Sequence, residues 1–202
     1  MLTSIRDIWF TMTFANDIEI LTKIVELNEA FVEEWKANND PDFINQCMFQ
    51  SIPTIFSERS AERGGNVMGL DKLDKNVIML NFNIAVKTAD EEAVARPLLR
   101  SYGERMQEFA ASKDGLVDWQ YLNYADSYQD PLGSYGSENV EKIRAAARKF
   151  DPQGVFQTKV PGGFKISKVG IRSGSAIMDE ALYGDVKEET KTLANLSDAW
   201  LL

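Results

Sequence analysis

Residues 77–87 read VIMLNFNIAVK. Ile78, Leu80, Phe82, Ile84 and Val86 fall at every second position, and Met79, Asn81 and Asn83 lie between them. A period of two is that of a β-strand, whose successive side chains leave on opposite faces. One face here is wholly apolar and the other carries amides. That division suits an antiparallel sheet with helices packed on one side only.

Three more segments repeat the pattern. In IRDIWFTMTF (5–14), Ile8, Phe10, Met12 and Phe14 alternate with Asp7, Trp9, Thr11 and Thr13. Residues 43–50 set Cys47 and Phe49 against Gln46, Met48 and Gln50, and DWQYLNY (118–124) predicts a fourth strand. Between the first and second strands, Asn16 or Asp17 caps a helix running to about Asn38. Its apolar stripe is Ile18, Leu21, Val25, Phe31, Val32 and Trp35. A second helix covers about 90–112, and Pro97 within it is expected to kink or delay it. The order β-α-β-β-α-β predicts an α+β fold of the ferredoxin-like type: one antiparallel sheet with both helices on one face.

The opposite face is expected to be open. It carries Asp7, Trp9, Thr11, Thr13, Gln46, Met48, Gln50, Met79, Asn81, Asn83, Trp119, Tyr121 and Asn123. A face meant only for solvent would carry more Lys and Glu. This one predicts cover by a ligand, another domain or a second subunit.

Beyond the fourth strand, Ser137 is read as the N-cap of a helix with the stripe Val140, Ile143, Ala147 and Phe150, ended by Asp151-Pro152. Residues 1–166 are assigned to the sheet domain. Residues 167–202 are a C-terminal extension with an acidic amphipathic helix around 186–200. The glycines at 64–65 and 162–163 are read as turn residues.

Composition narrows the chemistry. The chain has 202 residues, enough for one domain with an appendage. Its net charge of -9 argues against nucleic acid and anionic membrane surfaces as partners. The single cysteine, Cys47, allows no internal disulfide and reads as a buried thiol. With no membrane-length apolar run and no signal-peptide pattern at the N-terminus, a cytoplasmic setting is expected. There is no histidine, which excludes Ser-His-Asp and Cys-His nucleophilic catalysis. It also argues against a zinc, haem or copper site. Redox chemistry would need a cofactor, because side chains do not accept hydride.

Several spaced elements then agree in order: Tyr121-Leu122-Asn123-Tyr124, Gln129-Asp130-Pro131, Tyr135-Gly136-Ser137-Glu138-Asn139, Phe150-Asp151-Pro152, Gly154-Val155-Phe156 and Pro161-Gly162-Gly163-Phe164-Lys165. Together they resemble the C-terminal signature of berberine-bridge-enzyme-like FAD-linked oxidases, especially fungal ones. Gly64-Gly65-Asn66, Gly69-Leu70 and the strand at 77–87 resemble the same family. The likeness covers roughly residues 5–166. It implies a substrate domain whose antiparallel sheet lies over a flavin. On this reading the PCMH-type FAD-binding domain, with the His and Cys that tether flavin in many members, lies outside the sequence. Tyr121 and Asn123 match the family's Tyr-x-Asn at the flavin edge. Gln50 resembles a position where plant members carry a catalytic glutamate, but an amide cannot act as a base.

Three functions follow as expectations. The first is a flavin-independent enzyme of specialised metabolism that guides cyclisation, isomerisation or elimination of a hydrophobic small molecule. Its catalytic candidates are Tyr121 and Asp7; burial beside Trp9 would weaken the acidity of Asp7 and suit it to acid–base work, and the other reading of Asp7 is an exposed carboxylate at a strand start. The binding candidates are Trp9, Gln46, Met48, Gln50, Asn81, Asn83, Trp119 and Asn123. The second is the substrate-binding part of a FAD-linked oxidoreductase, either a fragment of it or a subunit that assembles with a separate FAD-binding chain. The third is a non-catalytic binding protein. A homodimer is expected in each, since both the open face and the sheet edge need cover.

Overall fold

A computed structural model of the chain describes residues 5–170. The elements are β1 (Arg6–Ala15), α1 (Ile18–Asn38), β2 (Ile44–Ile52), α2 (Ile55–Ala61), β3 (Val77–Val86), α3 (Ala89–Ser112), β4 (Leu116–Val117), α4 (Pro131–Ser134), α5 (Ser137–Phe150) and α6 (Val155–Thr158). The four strands form one sheet in the order β2-β3-β1-β4, antiparallel at every pairing. This is the α+β arrangement read from the alternating segments. The compact unit runs through Val169. The helix anticipated around 186–200 lies outside the described residues.

The alternation in β3 sorts the interior into two cores. Ile78, Leu80, Phe82, Ile84 and Val86 join Ile8, Phe10, Met12 and Phe14 of β1 beneath α1 and α3. Phe31 of α1 meets the Phe82 ring edge-on, with centroids 5.0 Å apart, and Tyr102 of α3 at 5.6 Å. Gly103 lets α3 settle onto β1, since a Cβ there would stand 2.8 Å from the Phe10 ring. Cys47 packs against this core, and burial pushes its thiol up to about 11.

The helix signals hold with small shifts. Asp17 caps α1 by accepting from the Glu19 and Ile20 amides. Thr88 and Glu91 form a reciprocal capping box on α3. Pro97 lies inside α3 on an exposed position, and the helix continues through it to Ser112. Gly136, not Ser137, is the N-cap of α5; its φ of 89° is a conformation that glycine supplies. No helix among the described residues is long and apolar enough to cross a membrane.

Two expectations need correction. The strand anticipated over 118–124 is only Leu116–Val117, paired with Phe14 and Thr13. After it, Trp119 turns inward and residues Leu122–Tyr124 form a 3₁₀ turn. The physical cause is at Thr11, where a longer β4 would have to bond. There the Gln129 side chain already fills the ladder: the Thr11 N–H donates to Gln129 Oε1 at 3.1 Å, and Gln129 Nε2 donates to the Thr11 carbonyl at 2.7 Å. An amide side chain imitates a strand's peptide group, so the strand is not needed.

The second correction concerns the face opposite the helices, which is not open. The chain's own C-terminal half covers part of it. Trp119, Leu132, Tyr135, Val140, Ile166 and Val169 pack with Ile52, Val77 and Met79 into a second core. The segment between β4 and α4 is fastened to α3. Arg96 donates to the buried Asp126 carboxylate at 2.7 Å, and the Arg100 guanidinium lies 4.4 Å over the Tyr128 ring.

Candidate functional site

Register places the polar residues of the second face in two cross-strand rows. Met48, Asn81 and Thr11 form one; Gln46, Asn83 and Trp9 form the next. The adjoining row, Gln50, Met79 and Thr13, leads into the second core. Asn81, Asn83, Thr11 and Thr13 are all buried. Gln46, Met48 and Gln50, on the outer strand, are exposed.

The aromatic residues of the face run in one chain. Trp9 stacks on Tyr124 at 5.4 Å with the planes 9° apart. Tyr124 meets Tyr121 edge-on at 5.2 Å, and Tyr121 stacks on Trp119 at 6.1 Å. Asn123 donates from Nδ2 to the Tyr121 hydroxyl at 2.9 Å. Tyr121 and Asn123 thus hold each other on a turn, whereas a strand would have separated them from any such bond by pointing both outward in parallel. Trp119 is a core residue: it is 4% exposed and its indole N–H is spent on the Met68 carbonyl at 2.8 Å.

The polar atoms of the buried row are incompletely paired. Thr11 Oγ1 donates to the Leu80 carbonyl at 2.9 Å. Both side-chain atoms of Asn81, Oδ1 of Asn83 and Oγ1 of Thr13 have no hydrogen-bond partner. Asn81 is only 2% exposed and Asn83 only 4%, so water does not serve them from the surface. Each such orphan costs about 1–3 kcal/mol, and native proteins hold few of them. Three more such atoms, on Asn28, Gln120 and Tyr128, lie apart from this row, but only here do four fall at contiguous register positions on one face. The set offers donors and acceptors, brings no Lys or Arg with it, and lies on the face of a stacked aromatic cluster. Chemically it suits a flat, uncharged group edged with carbonyl and N–H or O–H functions.

Of the residues singled out from sequence, Trp9, Asn81, Asn83, Tyr121 and Asn123 belong to this neighbourhood. Gln46, Met48 and Gln50 border it from the solvent side. Asp7 is not buried beside Trp9: it lies exposed at the start of β1, opposite Ala85, as the reading of a strand-start carboxylate has it. Sequence reading missed Tyr124 and Gln129 as site residues. Tyr124 closes the aromatic chain, and Gln129 holds the segment that carries it. Both stand within the motifs Tyr121–Tyr124 and Gln129–Pro131, which was the available signal.

Comparison with known proteins extends this picture. An FAD-dependent monooxygenase of Aspergillus calidoustus is 40% identical over 167 residues, which cover 82% of this chain and 32% of that protein. Another, from Emericella nidulans, is 34% identical over 165 residues, covering 81% of this chain and 34% of its own. The chain is a partial-length relative of fungal FAD-dependent monooxygenases. It spans about a third of the length of these curated relatives. An uncharacterised FAD-linked oxidoreductase of Arthroderma benhamiae is 27% identical over 154 residues, covering 70% of this chain and 30% of that protein. No family model matches the sequence, and no solved structure does.

Proposed function

We propose that the chain is the substrate-side part of a berberine-bridge-enzyme-like FAD-linked oxidoreductase, acting on an uncharged hydrophobic small molecule of specialised metabolism. The observation that carries this reading is the set of orphaned polar atoms on Asn81, Asn83 and Thr13, on the sheet face that bears the Trp9–Tyr124–Tyr121 cluster. A flavin ring is flat and uncharged, with carbonyl and N–H functions along one edge, so the donor set fits it. The likeness to FAD-dependent monooxygenases points the same way.

FAD, when bound, supplies the capacity to accept hydride, which no side chain has. This chain's residues would bind and orient. Asn81 and Asn83 would bond a planar edge, Tyr124 and Trp9 would border it with aromatic surface, and Tyr121, with its hydroxyl fixed by Asn123, would present a phenol to the reacting molecule. The glycines at 64–65 and 162–163 lie in turns of positive φ and open no long helix, so the pyrophosphate would be held by polypeptide outside these elements.

A flavin-free cyclisation on the same face has less support. Of its two acid–base candidates only Tyr121 belongs to the site, since Asp7 is exposed at the start of β1.

The test is co-expression with a chain carrying the part of the Aspergillus calidoustus monooxygenase that this sequence does not match. The expected product is a yellow complex that co-elutes with FAD and loses flavin-dependent turnover on Tyr121→Phe. A colourless 202-residue chain that neither binds the second chain nor retains FAD would overturn the proposal.

A further inference from the structure

The two edges of the sheet are treated differently. At β1, the Gln129 amide and the short β4 occupy the ladder. At β2, nothing among the described residues pairs with the outer side of the strand. Natural proteins protect such edges with Lys, Glu, Pro, bulges or extreme shortness. β2 has none of these: nine residues, Ile44-Asn45-Gln46-Cys47-Met48-Phe49-Gln50-Ser51-Ile52, contain no charge and no proline. Ile44 is 53% exposed and Met48 45%.

The strand also reads nearly the same in both directions about Met48. Gln46 mirrors Gln50, Ile44 mirrors Ile52, and the polar Asn45 mirrors the polar Ser51. An antiparallel twofold pairing brings mirrored positions face to face, which is what an isologous interface requires. Amide would then meet amide and aliphatic meet aliphatic across the axis, with Cys47 against Phe49 as the unlike pair on the helix side. The net charge of -9 pushes two copies apart, and an uncharged strand is where they approach at least cost.

We propose that two copies of this chain pair through β2, antiparallel about Met48, and join their sheets into one of eight strands. The pairing does not depend on the flavin reading. It does place the Gln46, Met48 and Gln50 of each copy beside those of the other, so the polar margin of both candidate sites is completed at the dimer axis.

The test uses the full-length chain. Light scattering should give a two-chain mass for the wild type. Met48→Lys puts two ammonium groups together at the axis and should give a one-chain mass with an unchanged circular-dichroism spectrum. The double variant Cys47→Ser, Met48→Cys should form a disulfide-linked dimer on mild oxidation. Residues facing each other across such an axis have Cα atoms about 4.5 or 5.5 Å apart, within the roughly 4.4–6.8 Å that a disulfide spans. A wild-type chain that stays monomeric at its highest soluble concentration overturns the proposal, and so does a dimer that survives Met48→Lys. A monomer whose β2 amides resist hydrogen exchange also overturns it, by showing that the edge is already covered within one chain.

Discussion

Leu80 and Asn81 are neighbours in β3, and their side chains leave the sheet on opposite faces. Leu80 is fully buried among Phe10, Phe31 and Phe82 and brings no polar side-chain atom into that core. Asn81 is buried almost as completely, at 2% exposure, yet neither of its amide atoms has a partner. Two side chains of the same branched shape, one residue apart, thus meet opposite physical demands. The helix-covered face is built for stability. The other face accepts a stability cost unless an ordered water or a bound ligand supplies the missing hydrogen bonds. The contrast can be tested by exchanging the two residues' chemistries.

Leu80→Asn should have the largest effect. It removes a fully buried leucine, about 1.5–3 kcal/mol, and buries an amide with no partner at a further cost of about 1–3 kcal/mol. A loss near 3–5 kcal/mol in urea unfolding is expected. A loss below about 1 kcal/mol would mean that the helix-covered core tolerates polarity, and the contrast between faces would fail.

Gln129→Ala comes next, because the second face depends on the segment that Gln129 secures. The substitution leaves the N–H and C=O of the fully buried Thr11 without partners. The cost should be about 2–3 kcal/mol. Local opening should precede global unfolding, so hydrogen exchange at Thr11 and Trp119 should quicken more than at Leu80. Uniform acceleration at all three would show that the segment is not a separate unit of stability.

How far these faces were legible in sequence follows from the range of the interactions. The period of two in residues 77–86 and 6–14 assigned each side chain to its face, because strand geometry is local. Asp17 as a helix cap was legible for the same reason. The length of β4 was not. It is set by Gln129 bonding Thr11 across 118 positions of sequence, and alternation in 118–124 carries no trace of that bond. The same limit hid the second core. The stripe Val140, Ile143 and Ala147 announced an amphipathic helix, but a stripe does not say which surface it will cover. The face that Asp7 occupies is legible from its parity, but whether that position is covered is not. Its exposure comes from lying at the strand's beginning, where the cover ends.

Asn81→Leu carries the smallest expected change, and in the opposite direction. Leucine keeps the branched skeleton of asparagine and removes two unsatisfied polar atoms. The free chain should therefore gain up to about 1 kcal/mol, less whatever the bulkier methyl groups cost in packing. The gain would be informative only beside a functional measurement. If Asn81 is retained for a ligand, the stabilised variant should lose FAD retention in the two-chain complex described above while its own folding improves. That is the opposing movement expected where a site is kept at the expense of stability. If Asn81→Leu instead destabilises the free chain by more than about 1 kcal/mol, the amide has an internal role. The face would then be a second structural core, and the reading of Asn81 and Asn83 as ligand-facing would have to be abandoned.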